Sequence, residues 1–417
     1  MPTATRWRER SAILRAARRV RYSLRKVLFL SSWFPYPPDN GSRTRAYHLL
    51  RALAAEHQVS LVALTDENHI PAHVEAIRPF VHEIQTYPRP RYQPRRARAL
   101  AAFLSNRPRY LVDTFDPALA KLIQHTASSQ PFDLIFAGQL SLAVYAARVA
   151  HPFKVFDEVE TGMFADHRSG GIARVRHDLT WWKYARFLRS LAAHFRALTV
   201  VSMQEKRTLQ EISIPADKIY LIPNGVDCEN RLAPNESFAP NTLIYPGAVT
   251  YSANLDAMRY FVREILPHVR AVEPRVRLHI TGHAEQVAIN ELSVDNAVSF
   301  TGYVKDIRPY IRASAICIVP LRVGGGTRLK ILEAMMLGTP VVSTSKGAEG
   351  LDVRDGEHLL LADTPIEFAD ATLRLFRDVE LRQRIACAAQ EYVCATYDWK
   401  TIGDRLNQVL LEMTTRA

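Results

Sequence analysis

Residues 318–342 read IVPLRVGGGTRLKILEAMMLGTPVV. A short apolar run passes through three glycines and enters a helical pattern at once, as a buried parallel strand does when it feeds a helix. Gly324, Gly325 and Gly326 admit backbone angles closed to other residues and let a ligand approach the main chain. The first-turn amides of the helix face that space with the positive end of its dipole, which favours an anion. Thr327 sits at the turn, and Arg328 and Lys330 add two cations beside it. At about 1.5–3 kcal/mol for each charge-assisted hydrogen bond, the pair and a few amides suffice to grip a diphosphate. Glu333 lies early enough on the helix to face the same space, where a carboxylate can accept from the paired hydroxyls of a ribose. The alternative is a flexible turn followed by a solvated Lys330/Glu333 pair at helical spacing. Other glycine-rich signatures fail: GxGxxG needs glycine at 329, where leucine stands, and no GxxxxGK[ST] occurs.

Outward from this stretch the same strand-to-helix unit recurs. KVLFLSS, QVSLVALT, FDLIFAG, FKVFDE and ALTVVS are buried-strand candidates in the first half, and NTLIYPG, VRLHITG, AVSFTG, AICIVP and PVVST in the second. Helices are expected from about Arg43 to Glu56, Asp178 to Phe195, Asn254 to Val272 and Thr327 to Leu337. In the second of these, Leu179, Trp182, Ala185, Leu188 and Ala192 share one face. The Pro- and Asn-rich segment LIPNGVDCENRLAPNESFAPN lacks periodicity and reads as a linker. The expected organisation is an α/β chain of two Rossmann-like doubly wound domains: 1–222, with 1–26 a basic extension; a linker over 223–240; 241–395; and a closing helix over 396–417. Sheets of this kind bind ligands at their strand C-termini, so two facing domains share a central cleft.

At 417 residues the chain exceeds the size at which one core stops growing, which agrees with two domains. Cys228, Cys317, Cys387 and Cys394 form no C-x-x-C pair, which argues against a disulfide framework and suits a reducing, cytoplasmic setting. The formal charge of +12 concentrates in arginine runs, Arg6 to Arg25 and Arg89 to Arg98. They are either solvated surface or a peripheral contact with an anionic membrane, as at the inner face of a plasma membrane. Nucleic acid is not expected, because no compact recognition motif accompanies the charge. Arg18 and Arg19 imitate a twin-arginine signal, but VLFL is too short to follow one. No run of eighteen apolar residues predicts a membrane span.

In the first half, PYPPDNGSRTRAYHLL places Asn40, Gly41 and Ser42 before a helix, with Arg45 one turn in. An N-cap with a solvent-facing arginine explains this as well as a binding loop does. FKVFDEVETGMF ends a strand on Asp157, Glu158 and Glu160, of which Asp157 and Glu160 are the first candidates to orient or deprotonate an acceptor hydroxyl. Capping or solvated acids are the other reading. Gly247, Gly282 and Gly302 with Tyr303 close further strands, where backbone groups could read a base edge or simply turn the chain. Asn224 and Gly225 lie in the linker, where they could touch the floor of the cleft. Trp181, Tyr184 and Phe187, beside Lys183 and Arg186, either pack on the sheet or meet a lipid carrier.

Together the 318–342 segment, LIPNGVD, IYPGAVTYSANLDA, LHITG and VSFTGYVKDIRPYI resemble the C-terminal domain of family four GT-B glycosyltransferases. PYPPDNGSRTRAYHLLRALA resembles their N-terminal loop and helix. The resemblance implies a retaining, metal-independent transferase that takes UDP- or GDP-sugars as donors, needs no cofactor, and acts on a lipid-linked or oligosaccharide acceptor in surface or exopolysaccharide assembly. It places the ribose-holding glutamate of the family's E-x7-E pattern at Glu333, while Gly325 stands where the pattern's first glutamate falls. The family's usual Arg and Lys after the first C-terminal strand are missing from GAVTYSANLDA, which leaves the phosphates to Arg328 and Lys330. It also brings Gly41 and Ser42 to the diphosphate from the acceptor side. No Asp-x-Asp pair follows a strand, and the histidines lack ligand spacing, so no metal site is expected. The same layout also suits a nucleotide-sugar epimerase, or a non-catalytic nucleotide-sugar-binding partner of a polysaccharide complex.

Overall fold

The computed structural model describes residues 25–66, 71–159, 161, 172–229, 239–293 and 296–415. Most of the basic extension, Glu160 and the middle of the expected linker lie outside them. Proximity groups the chain into two compact units, residues 1–157 with 190–197 and residues 158–189 with 198–417.

The first sheet contains β1 (Lys26–Ser31), β2 (Gln58–Thr65), β3 (Glu83–Pro88), β4 (Leu134–Gly138), β5 (Lys154–Asp157), β6 (Ala197–Val200) and β7 (Ile219–Leu221), in the order β3-β2-β1-β4-β5-β6-β7. The second contains β8 (Ala239–Pro246), β9 (Arg277–Thr281), β10 (Val298–Gly302), β11 (Ser314–Val319), β12 (Val341–Ser343) and β13 (Leu360–Leu361), in the order β10-β9-β8-β11-β12-β13. Its pairs are all parallel. Strands covered on both faces must be apolar throughout. Accordingly β11, SAICIV, is buried at every position and β1 at every position but its first. This is the Rossmann-like, doubly wound fold class expected from the sequence.

The strands that the pattern did not announce are the weakest signals. β3 is a polar edge strand, and β7 and β13 span three and two residues. The helix expected from Asn254 to Val272 forms in three pieces, Ser252–Tyr260, a π-helical Phe261–Ile265 and Leu266–Val272. Pro267 supplies the reason, since it cannot donate to the preceding turn and the ladder bulges around it.

Two expectations need correction. Cys228 and Cys394, 166 residues apart, form a disulfide with Cα atoms 5.7 Å apart. The spacing hides this pair because the fold creates it: Val226 N donates to Tyr397 O (2.9 Å) and Trp399 N to Val226 O (3.1 Å), laying the linker's start along the turn between the last two helices. The helix Ile172–Ala192 buries only part of its expected face. Leu188 and Ala192 are buried, whereas Leu179 and Trp182 are 53% and 55% exposed. Of the aromatics named for lipid contact, Tyr184 is buried and Trp181 and Phe187 are half-buried. Among the described residues no helix is long and apolar enough to cross a membrane.

Candidate functional site

The glycine loop between β11 and the helix Leu329–Met336 is shaped by Arg328. This residue is 6% exposed and sends Nη1 to Gly325 O (3.0 Å) and Nη2 to Gly324 O (2.9 Å) and Lys346 O (3.1 Å). In a trans peptide the carbonyl and the following N–H point in opposite directions. Arg328, by gathering the carbonyls of Gly324 and Gly325, therefore turns the amides of Gly325 and Gly326 away from itself. Gly324 and Gly326 adopt φ of 100° and 82°, which the turn requires and which a side chain would strain. The Nη groups of Arg328 thus brace the loop from behind.

Lys330 occupies the place where the sequence lacked a cation. Its Nζ donates to Tyr245 Oη (2.8 Å) and Asn254 Oδ1 (3.0 Å) and lies 4.1 Å from the Tyr245 ring centroid. Tyr245 is a buried residue of β8, and Gly247 follows the end of that strand. A Cβ on Gly247 would stand 3.0 Å from Lys330 Nζ and 3.0 Å from Asn254 Nδ2, so glycine is what leaves room for the ammonium. Burial lowers the Lys330 pKa to about 7; the charge of Arg328 adds to this, and Cys317 and Glu333 oppose it. Glu333, one turn later, is raised to about 7 by burial, against the pull of Lys330 and Arg308. An anion delivered to Lys330 would stabilise the ammonium at the moment of binding.

The neighbouring strand ends are knitted together. Gly282 N, after β9, donates to Gly302 O of β10 (2.9 Å), and Val249 N to His283 O (3.1 Å). Gly282 has φ of 91°, and a Cβ there would come within 2.8 Å of Ala248 N. Tyr303 is 63% exposed and stacks on His283 at 5.4 Å with 17° between the rings. Asn224 Nδ2 donates to Thr327 Oγ1 (3.1 Å), fixing the linker's start against the glycine loop. The structure thus gathers Gly247, Thr327, Arg328, Lys330 and Glu333 around the C-terminal ends of β8 and β11, with Gly282, Gly302 and Tyr303 on the next two strands. Tyr245, Asn254 and His283 belong to this constellation and were not singled out in the sequence; only Asn254, two residues into a helix that follows a strand, sits where the pattern directs attention.

In the first sheet the candidates behave differently. Asn40 caps the helix Gly41–Ala54 through Oδ1, which accepts from Arg43 N (3.1 Å), and Ser42 Oγ accepts from Gln139 Nε2 (3.0 Å). Arg45 is neither solvent-facing nor at an open surface. It is 1% exposed and forms a bidentate pair with Asp157, Nε to Oδ2 at 2.9 Å and Nη2 to Oδ1 at 2.6 Å. Asp157, expected to orient or deprotonate an acceptor, is 4% exposed and has both oxygens on that guanidinium. The pair neutralises itself and ties the helix to the end of β5, which corrects both assignments. Glu158 holds a left-handed φ of 57°, and its N–H donates to Thr199 Oγ1 (3.2 Å). Glu160 lies outside the described residues.

Comparison with known proteins gives the family and the fold. A family model described as Glycosyltransferase Family 4 matches residues 39–230, and one described as Glycosyl transferases group 1 matches residues 240–378. The phosphatidyl-myo-inositol mannosyltransferase of Mycobacterium leprae is 30% identical over 206 residues, 46% of this chain and 54% of that protein. The lipopolysaccharide core biosynthesis glycosyltransferase LpsE of Rhizobium meliloti is 31% identical over 149 residues, 33% of this chain and 42% of that protein. The chain spans about half the length of these curated relatives. The crystal structure of Anabaena HepE with UDP and glucose superposes with a TM-score of 0.67 at 16% identity, covering 93% of this chain and 100% of that one, a likeness of fold.

Proposed function

The chain belongs to the family 4, group 1 glycosyltransferases, and from that membership we propose that it moves a sugar from a nucleotide-diphospho-sugar to an acceptor, with retention of configuration and without a metal. The observation that carries the reading is the Lys330 ammonium, set at the end of β8 behind Gly247 and beside a loop whose amides Arg328 turns outward. In this reading the amides of Gly325 and Gly326 and Lys330 take the diphosphate, and Glu333 takes the ribose hydroxyls. The exposed face of Tyr303, backed by His283, offers a stacking surface to the base of a UDP- or GDP-sugar. As the glycosidic bond to phosphate breaks, charge grows on the leaving diphosphate, and these donors stabilise it without reorganising. This reading gives Asp157 and Arg45 no role, because they are buried on one another.

The acceptor is proposed to be lipid-linked or an oligosaccharide, in assembly of a surface polysaccharide or glycolipid, as the names of the two relatives suggest. A surface in the first unit supports work at the cytoplasmic face of an anionic membrane. From Ile84 to Val112 there are seven arginines and no acid, and Leu100 and Phe103 there are 51% and 57% exposed. Apolar side chains amid arginines suit the interface of a negatively charged bilayer.

Incubation with UDP- and GDP-sugars, with and without a lipid-linked acceptor, tests the activity. Nucleoside diphosphate released only with acceptor, and a sugar joined to it, is the expected result. An epimerised sugar without acceptor, or binding with no turnover on any acceptor, overturns it in favour of an epimerase or a binding partner.

A further inference from the structure

A second cluster stands at the C-terminal edge of the first sheet, made of side chains to which the donor reading gives no role. Trp33 follows β1 by two residues, and Asp66 and Arg89 directly follow β2 and β3, which are neighbouring strands. Arg43 reaches the same place from the first turn of the helix Gly41–Ala54. The Arg89 guanidinium carbon lies 3.7 Å from the Trp33 ring centroid and that of Arg43 5.7 Å from it, so two cations share one indole.

Each guanidinium is fixed at one edge by a carboxylate. Arg89 Nε donates to both oxygens of Asp66 (3.0 and 3.1 Å), and Arg43 Nη1 to both oxygens of Asp39 (3.2 Å each). The aspartates are the outer members, 38% and 40% exposed for Asp39 and Asp66, against 18% and 21% for Arg43 and Arg89. The two pairs are close to neutral as units, and the less exposed inner side is the guanidinium side. Burial lowers the Arg89 pKa, and the adjacent Arg43 charge adds to the effect although Asp66 opposes it. Arg43 Nε and Arg89 Nη2 are buried and have no hydrogen-bond partner among the described residues. Native proteins rarely leave buried donors unmatched, because desolvating them without an acceptor is unfavourable.

We propose that Trp33, Arg43 and Arg89 form a subsite for a phosphoryl group, built from residues other than those of the nucleotide site at 324–333. A phosphate provides what the cluster lacks, acceptor oxygens for the two orphan N–H groups. Planar guanidinium forks match its geometry, and the carboxylates on their other edges hold the forks ready. The carboxyl edge of a doubly wound sheet is where such folds take ligands. On the transfer reading, the phosphoryl group is that of a phosphate-bearing acceptor; that identification rests on the proposed function, whereas the anion site itself does not.

The test uses the full chain carrying Lys330→Met, which weakens the other anion site, titrated with inorganic phosphate at constant ionic strength and followed by tryptophan fluorescence. A saturable change is expected that disappears in Trp33→Phe and whose midpoint rises at least tenfold in Arg43→Gln and in Arg89→Gln. Arg89→Lys, which keeps the charge but not the fork, should weaken the response with no change in melting temperature. The inference is overturned by the absence of a saturable response, or by an unchanged midpoint in glutamine variants that melt as the parent does. UDP and GDP affinities, measured in parallel with Lys330 intact, should not move in the Arg43 and Arg89 variants. No phosphate response in the Lys330→Met protein, with nucleotide binding intact in the protein that keeps Lys330, counts against this subsite alone, and failure of the latter to bind nucleotide counts against the transfer reading alone.

Discussion

Lys330→Met separates ligand binding from folding. In the unliganded protein the ammonium lies among buried groups, and its pKa is lowered to about 7, so its charged form is a burden to the fold. Its removal leaves no orphan, because Tyr245 Oη still donates to Asn254 Oδ1 at 2.7 Å and Asn254 Nδ2 to Ala248 O at 2.8 Å. Methionine keeps the unbranched apolar stem and fills the space. The melting temperature should therefore hold or rise. The diphosphate, in contrast, loses a hydrogen bond from a charged donor, about 1.5–3 kcal/mol, or roughly a tenfold to 150-fold loss of affinity. Titration calorimetry with UDP and GDP, alongside scanning fluorimetry, reads both. Affinity within threefold of the parent for whichever nucleotide binds would refute the placement of the diphosphate. A fall of several degrees in melting temperature would show that the lysine is a structural member and that the argument from its burial is wrong.

The same lysine predicts a pH dependence whose sign follows from its lowered pKa. Above about pH 7 the free protein has shed this proton, and a bound diphosphate restores it, so nucleotide affinity should fall by up to about tenfold per pH unit toward pH 9. Calorimetry at pH 8 in buffers of different ionisation enthalpy should show proton uptake that Lys330→Met abolishes; uptake unchanged in the variant contradicts the assignment. For folding, the Lys330 contribution grows as pH rises from about 7 toward the ordinary 10.5, while that of Glu333, raised to about 7, is lost as pH rises from 4.5. Asp157→Ala leaves the Arg45 charge buried without its bidentate partner and should lower stability by about 3–5 kcal/mol, seen as an earlier urea midpoint. A loss below about 1 kcal/mol would mean that solvent reaches the pair. Vesicles rich in anionic lipid should sediment the protein at low salt and release it at high salt, and Leu100→Ser with Phe103→Ser should weaken this; equal binding to neutral vesicles speaks against the electrostatic surface.

Much of the fold was legible because buried parallel strands must be continuously apolar. KVLFLSS and AICIVP announce themselves on that ground, and GGG before an amphipathic helix marks a place where backbone and ligand can meet. The runs that escaped notice, EIQTYP, IYL and LL, are edge or minimal strands whose residues are chosen by neighbours and not by period. Of the candidate site, glycine, lysine and glutamate at 324–333 could be read from local spacing, since a helix holds residues three and four apart on one side.

What each cation does was decided only in three dimensions. Arg328 and Lys330 look alike in sequence, yet one braces carbonyls behind the loop and the other crosses to Tyr245, 85 residues earlier in the chain. Arg45 with Asp157 and Trp33 with Arg89 are likewise pairings over long stretches of chain, made where parallel strands bring their carboxyl ends side by side, and Cys228 meets Cys394 where the linker's start lies along the turn between the last two helices. Period and spacing register which face of its own element a residue occupies. Partners across elements follow from sheet order and register, which no local pattern contains.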